Sequence, residues 1–366
     1  MDLAVQVFTG LPGGPGIDQP ALRRRLERIT EATAITVAMI GWNPAAWPAA
    51  VADWLRDQGT AVYLWLPVFS GWDDLSPLVG PSGRPVAQPY RSAQGERFDF
   101  GCPANPDNVE RIIERFDADY AGPVYDGVFL DKIRFPSFID GLAPIQTCFC
   151  PHCAARFGPD RAARLDQGDN PLGLLPYQGP GWHSADDGVT RLFAAKASAV
   201  TGSVTVLAQA LRARGLRVGL DLFAPFLAWF VGQDYRALAP LADFIKPMFY
   251  RRTQAPAGLP FELDRYAAAF GGSGADIACR RARLLELCGT SAPDLGFINR
   301  ELAVIGRAVK VYAGFEANRT EVAPTTPAYV AENVTGLEAD GLALSWDLNS
   351  TPADNLRAVL DALSSL

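Results

Sequence analysis

Short apolar runs recur along the chain at 3–8, 35–41, 61–69, 127–131, 217–223, 244–250, 309–315 and 342–346. Within each run the apolar residues are nearly continuous rather than alternating, and turn-forming residues lie between the runs. This pattern predicts strands of a parallel sheet covered on both faces. Amphipathic segments separate them, at 21–32, 46–58, 108–116, 188–214, 235–241, 275–287 and 327–337, and another at 352–363 follows the last run. Their apolar spacing predicts helices. Repeated strand–helix alternation predicts an α/β fold, a (β/α)8 TIM barrel.

Two connections are far longer than the usual few residues. The first, about 70–106, is rich in Gly, Pro and Asp, and the second, about 136–187, carries a cluster of Cys and a Pro/Gly-rich stretch. Both follow strands, the third and fourth, which places them on the C-terminal face where barrel enzymes build their sites. They read as elaborations of a single catalytic barrel domain over 1–366, without a linker.

The strand ends carry the candidate chemistry. Strand 4 ends in Asp131, followed by Lys132 and Arg134; strand 5 offers Asp221, and strand 6 Lys246 and Tyr250. Strand 7 leads to Glu316 and Asn318, and strand 8 to Trp346 and Asp347. Trp42 closes strand 2, and Tyr63 and Trp65 lie on strand 3. An acid at the end of an apolar strand needs a reason, because burial of an unpaired carboxylate is costly. Acids and aromatic rings together suit carbohydrate: rings pack on the C–H faces of sugars, and carboxylates and amides bind hydroxyls. Glycoside hydrolysis also needs two carboxyl groups flanking the scissile bond. Asp131 is the leading candidate, with Glu316, nearly opposite in the barrel, or the neighbouring Asp221 as its partner. Trp42, Trp65, Arg134, Lys246, Tyr250, Asn318, Trp346 and Asp347 are expected to bind substrate. The bland alternatives are ion pairing of Asp131 with Lys132 or Arg134, of Glu316 with Arg319, and backbone capping by Asp221.

Cys148, Cys150 and Cys153 lie within one short stretch of loop. Closed structural zinc sites take four ligands. Cys102, on the other long loop, is the best fourth, and His152 the alternative; reduced thiols without metal are the competing reading. Cys279 and Cys288, on a helical stretch, read as core or surface thiols.

Composition narrows the class. The chain has 366 residues, 49% hydrophobic and 20% charged, with a formal net charge of −7. No basic block points to nucleic acid. No apolar run nears the roughly 20 residues of a membrane span, and the amino-terminal residues enter a strand pattern with no signal-peptide character. Thiols clustered as for a metal, rather than spread as a disulfide framework, point to a cytoplasmic setting. Homo-oligomerisation is compatible with such a barrel, and no organic cofactor is indicated.

Several stretches resemble known families. Cys102-Pro-Ala-Asn-Pro106, then a strand ending in an acid, then Cys148-Phe-Cys-Pro-His-Cys153 and Ala155-Arg-Phe-Gly158 are similar to the zinc-binding region of family 42 β-galactosidases. Asp126-Gly-Val-Phe-Leu-Asp-Lys-Ile-Arg-Phe-Pro136 and Ala242-Asp-Phe-Ile-Lys-Pro-Met-Phe-Tyr250 resemble strand-4 and strand-6 segments of glycoside-hydrolase-like barrels. The resemblance implies a retaining glycosidase scaffold acting on a small glycoside or oligosaccharide, with structural zinc held by Cys102, Cys148, Cys150 and Cys153. Family 42 enzymes carry Asn-Glu at the end of strand 4, where this chain has Leu130-Asp131. That departure argues against β-galactosidase activity. It implies Asp131 as nucleophile, with Glu316 or Asp221 as acid/base.

Two other functions fit the residues. Lys246 on strand 6 is placed as a Schiff-base lysine of an aldolase-type lyase would be. A non-catalytic sugar-binding barrel would use the same rim without turnover.

Overall fold

The computed structural model describes residues 1–92, 95–158, 165, 168–306 and 308–366. Eight parallel strands form a closed barrel in chain order: β1 (Asp2–Phe8), β2 (Ile35–Gly41), β3 (Ala61–Pro67), β4 (Gly127–Asp131), β5 (Arg217–Phe223), β6 (Phe244–Met248), β7 (Lys310–Glu316) and β8 (Gly341–Ser345). The ring closes where β1 pairs with β8.

Helices follow each strand. They are α1 (Gln19–Ala32), α2 (Ala49–Asp57) and α3 (Pro106–Arg115) after the first three strands, and α4 (Leu142–Ile145), α5 (Pro151–Phe157) and α6 (Asp187–Ala213) after β4. Next come α7 (Pro225–Ala228) and α8 (Tyr235–Leu238), then α9 (Leu259–Ala269), α10 (Gly274–Leu287) and α11 (Leu295–Ile305) after β6. Last are α12 (Pro327–Gly336) and α13 (Ala353–Ser364). Several begin on a side-chain cap that satisfies a free N–H: Asp18 for α1, Asp186 for α6 and Asp294 for α11, with N···O distances of 2.8–2.9 Å.

The (β/α)8 expectation is met, with local differences. One helix was expected between β6 and β7, and three are present. The apolar pattern marks only α10; the buried faces of α9 and α11 include Glu262 and Glu301, both under 4% exposed. The strand expected to reach residue 250 stops at Met248, because the Tyr250 carbonyl leaves the sheet to accept from Leu259 N (2.8 Å) at the start of α9. Both long loops are present on the C-terminal face. Their residues 93–94, 159–164 and 166–167 lie outside the described ones.

Alternate strand residues point inward, and they form two layers. The lower layer is aromatic: Tyr63, Phe129, Phe244 and Tyr312 pack with Met39 and Val37. Phe244 is its hub, 5.0 Å from Tyr63, 5.4 Å from Tyr312 and 5.7 Å from Phe129 between ring centroids. Gly219 makes room for that hub, since a Cβ there would meet the Phe244 ring at 2.4 Å. Two residues further along the strands, the inward positions are Gln6, Trp65, Asp131, Asp221, Lys246 and Ser345. A packed aromatic plug thus carries a polar layer at the barrel mouth.

Candidate active site

The register brings the polar layer together. Asp221 pairs with Lys246 across β5 and β6, and Leu130 pairs with Leu220 across β4 and β5, so Asp131 stands beside Asp221 at the next level. Adjacent strands lie about 4.8 Å apart. Both acids line a cavity of about 310 Å³ on the C-terminal face.

Asp131 is half-buried, and both its oxygens are held. Oδ2 accepts from Trp65 Nε1 at 3.0 Å and Oδ1 from Lys132 N at 2.5 Å. Lys132 adopts φ +53°, a left-handed conformation that costs an ordinary residue about 1 kcal/mol or more. Its ammonium pairs with Glu96 (2.9 Å), donates to the Arg97 carbonyl (3.0 Å), and lies over the rings of Trp42 and Phe98. Lys132 therefore pairs with Glu96, not with Asp131.

Asp221 is 2% exposed and pairs with Lys246 at 3.1 Å. Burial pushes its carboxyl up to about 8, and the charge of Asp131 adds to the rise, while Lys246 and Gln6 oppose it. Gln6 approaches Asp221 without strict hydrogen-bond geometry between Nε2 and Oδ1, and both residues line the cavity. A sugar hydroxyl, donor and acceptor at once, suits such a pair.

Lys246 is fully buried and lies outside the cavity lining. It donates to Gln6 Oε1 (2.9 Å), Tyr250 Oη (2.7 Å) and Ser345 Oγ (3.4 Å). Burial lowers its ammonium below the usual range, and Asp221 opposes that fall. Gly314 leaves space for its stem: a Cβ there would come within 3.2 Å of Lys246 Cγ.

The remaining candidates divide. Trp42, Trp65, Arg134, Tyr250, Trp346 and Asp347 all line the cavity. Trp42 packs edge-on against Phe8 and Trp65, each at 5.3 Å. Arg134 lies between the rings of Phe100 (4.4 Å) and Phe223 (4.5 Å), and burial pulls it down to about 10. Asp347 ties the barrel seam, accepting from Phe8 N (3.2 Å), Asn349 N (3.0 Å) and Ser350 Oγ (3.0 Å). Burial raises its carboxyl as well.

Glu316 and Asn318 lie outside the lining. Glu316 is fully buried, with one oxygen on Arg252 N and the other accepting from Tyr329 Oη at 2.8 Å. Burial pushes it up to about 7. Arg319 pairs with Asp354 instead of Glu316. Asn318 Oδ1 accepts from Trp346 N (3.3 Å), so it positions the backbone of a lining residue.

Gln6 and Glu96 are polar lining residues that the sequence does not single out. Gln6 was detectable as a polar residue at an inward position of an apolar strand. Glu96 was not, because its position depends on how the long loop after β3 folds back over Lys132. A second cavity, of about 400 Å³, adjoins the first and shares Trp42, Glu96 and Lys132 with it.

The four expected cysteines come together behind this wall. Cys102, Cys148, Cys150 and Cys153 are all buried, with sulfurs within 4.8 Å of one another. Cys102 Sγ lies 3.7 Å from Cys150 Sγ and 3.6 Å from Cys153 Sγ. Zinc–sulfur bonds of about 2.3 Å put tetrahedral sulfurs about 3.8 Å apart, so the set fits a metal ion. Cys148 Sγ also accepts from Val79 N (3.3 Å) and Cys150 N (3.4 Å). Cys279 is exposed and Cys288 buried.

No helix among the described residues is long and apolar enough to cross a membrane. No family model matches the sequence, and no curated protein matches it. Solved structures do match in shape. The glycoside hydrolase domain of PgaB (BpsB) from Bordetella bronchiseptica superposes with a TM-score of 0.59 at 16% identity, over 99% of this chain and 98% of that one. A β-galactosidase from the psychrophilic Marinomonas ef1 gives 0.51 at 13% identity, over 99% of this chain and 59% of that one. The chain therefore shares its closed eight-stranded barrel with glycoside hydrolases.

Proposed function

We propose that the protein is a retaining glycoside hydrolase in which Asp131 is the nucleophile and Asp221 the proton carrier. The observation that carries this reading is their placement: two acids on adjacent strands, at one level, facing one cavity. Retaining enzymes hold their carboxyl groups about 5–5.5 Å apart, and a placement on neighbouring strands about 4.8 Å apart is compatible with that spacing. Asp131 is oriented by the Trp65 indole and its own loop amide. Asp221, raised to about 8, carries a proton at neutral pH. In the first step Asp131 bonds to the anomeric carbon, the glycosidic bond breaks, and the leaving oxygen takes the proton of Asp221. In the second, water attacks the anomeric carbon, returns a proton to Asp221 and releases Asp131.

Glu316 has both oxygens engaged away from the cavity, which favours Asp221 for the acid/base role. Trp42, Trp65 and Trp346 supply stacking faces, and Arg134, Tyr250 and Asp347 polar contacts. The adjoining second cavity favours a substrate longer than one sugar unit. The sequestered position of Lys246, paired with Asp221, weighs against a Schiff-base lyase.

The cysteine set suits structural zinc, since four thiolates leave no open position for catalysis. It would tie the loop after β3 to the loop after β4, and Glu96 and Phe98 of the first of these line the cavity. Reduced, metal-binding thiols favour a cytoplasmic protein.

The test is turnover of a panel of nitrophenyl glycosides. Asp131→Gly should be inactive and regain turnover with azide, forming a glycosyl azide. Unchanged activity in Asp131→Gly, or sugar binding without turnover by the wild type, contradicts the reading.

A further inference from the structure

Lys196 stands out among the buried polar groups that the proposed chemistry leaves unused. It lies on α6 and is 2% exposed, and its ammonium has no hydrogen-bond partner among the described residues. The rings of Phe135 (5.2 Å) and Phe193 (5.4 Å) are its immediate apolar surroundings. An unpaired ammonium in such a place is costly unless an opposite charge compensates it. Lys196 lines one small void with Cys148 and Cys153.

Four neutral thiols would offer that ammonium nothing. Four thiolates around a divalent ion carry a net charge of −2, buried with the cysteines at 6% exposure or less. Backbone N–H groups supply part of the compensation for this charge, two of them on Cys148 and that of Cys153 on Cys150. Each half of the arrangement is unfavourable alone, and together they offset each other.

Resting on the zinc reading above, we propose that Lys196 is the buried counter-charge of the thiolate metal centre. Lys196 touches no ligand position; it acts by favouring the charged, metal-loaded state. Its place on α6 also joins the helical layer to the two loops that the cysteines connect.

The experiment uses the full chain, stripped and reloaded with zinc alone, with affinity read by competition against a colorimetric chelator. Lys196→Met keeps the volume and removes the charge, and it should weaken zinc binding about 10- to 100-fold, as loss of an outer-shell partner does. Wild-type affinity in Lys196→Met, with melting temperature lowered equally in loaded and stripped protein, marks a packing residue and overturns the proposal. A wild-type chain that takes up no zinc overturns both this proposal and the zinc reading. Should Lys196→Met not fold, 15N-lysine NMR of the zinc-loaded wild type reads the charge directly. A protected ammonium signal for Lys196 supports the proposal, and a neutral amine overturns it.

Discussion

Lys246 Nζ lies 3.1 Å from Asp221 Oδ2, with neither residue more than 2% exposed. Burial raises the acid and lowers the amine, and each partner opposes the shift of the other. The partner of Asp221 thereby sets when Asp221 can act as an acid. Activity should fall as pH rises through about 8, where Asp221 loses its proton. Lys246 opposes the rise of Asp221, so Lys246→Met should move that limb to higher pH. The pH profile of kcat/KM for both proteins checks this.

Breaking the same pair should cost stability. Removing one partner of a buried ion pair destabilises by about 3–5 kcal/mol. Lys246→Met should fall at the low end, because Asp221 can remain protonated, and Asp221→Asn in the same chain should recover part of the loss. Denaturant unfolding measures both. Borohydride with candidate ketoses should leave Lys246 unmodified, and an adduct there would revive the lyase reading.

Glu316 makes a separate prediction. The folded state holds its proton up to about pH 7, against an ordinary value of 4.5. Between those values the folded chain binds more protons than the unfolded one, so stability falls as pH rises through this window. At 1.36 kcal/mol per unit the loss is about 3 kcal/mol. Glu316→Gln should flatten the stability profile between pH 5 and 7 while changing kcat/KM by less than about tenfold, equivalent to under about 1.4 kcal/mol of transition-state stabilisation. Asp221→Asn should abolish turnover. The opposite ranking would give Glu316 the acid/base role.

Trp65 acts on Asp131 through its indole N–H at 3.0 Å. A hydrogen bond to a charged group is worth about 1.5–3 kcal/mol, so Trp65→Phe should lower kcat/KM about 10- to 100-fold with little change in fold. Steady-state kinetics and circular dichroism separate the two effects.

Zinc removal should loosen the cavity wall. Cys102 and the lining residues Glu96 and Phe98 belong to the same loop. Chelation should lower the melting temperature and speed proteolysis within 70–106. Elemental analysis should find one zinc per chain, and Cys150→Ser should bind it more weakly.

The barrel was legible because parallel strands are buried on both faces, and continuous apolar runs mark them. The metal cluster was legible because Cys148, Cys150 and Cys153 are close in sequence and only Cys102 had to be found elsewhere. Asp131 and Asp221 could be placed at the ends of neighbouring strands, but that they stand at one level needed the register. Glu316 looked equivalent to them in sequence. What separates it is Tyr329 on α12, a tertiary contact with no local signature.

The most direct test of the paired-acid account is a crystal soaked with an iminosugar whose ring nitrogen replaces the anomeric carbon. The account predicts that nitrogen within about 3 Å of Asp131 and hydrogen-bonded toward Asp221, between Trp42 and Trp346. A ring bound with its nitrogen against Glu316 or Asp347, and Asp131 remote from it, would contradict the account.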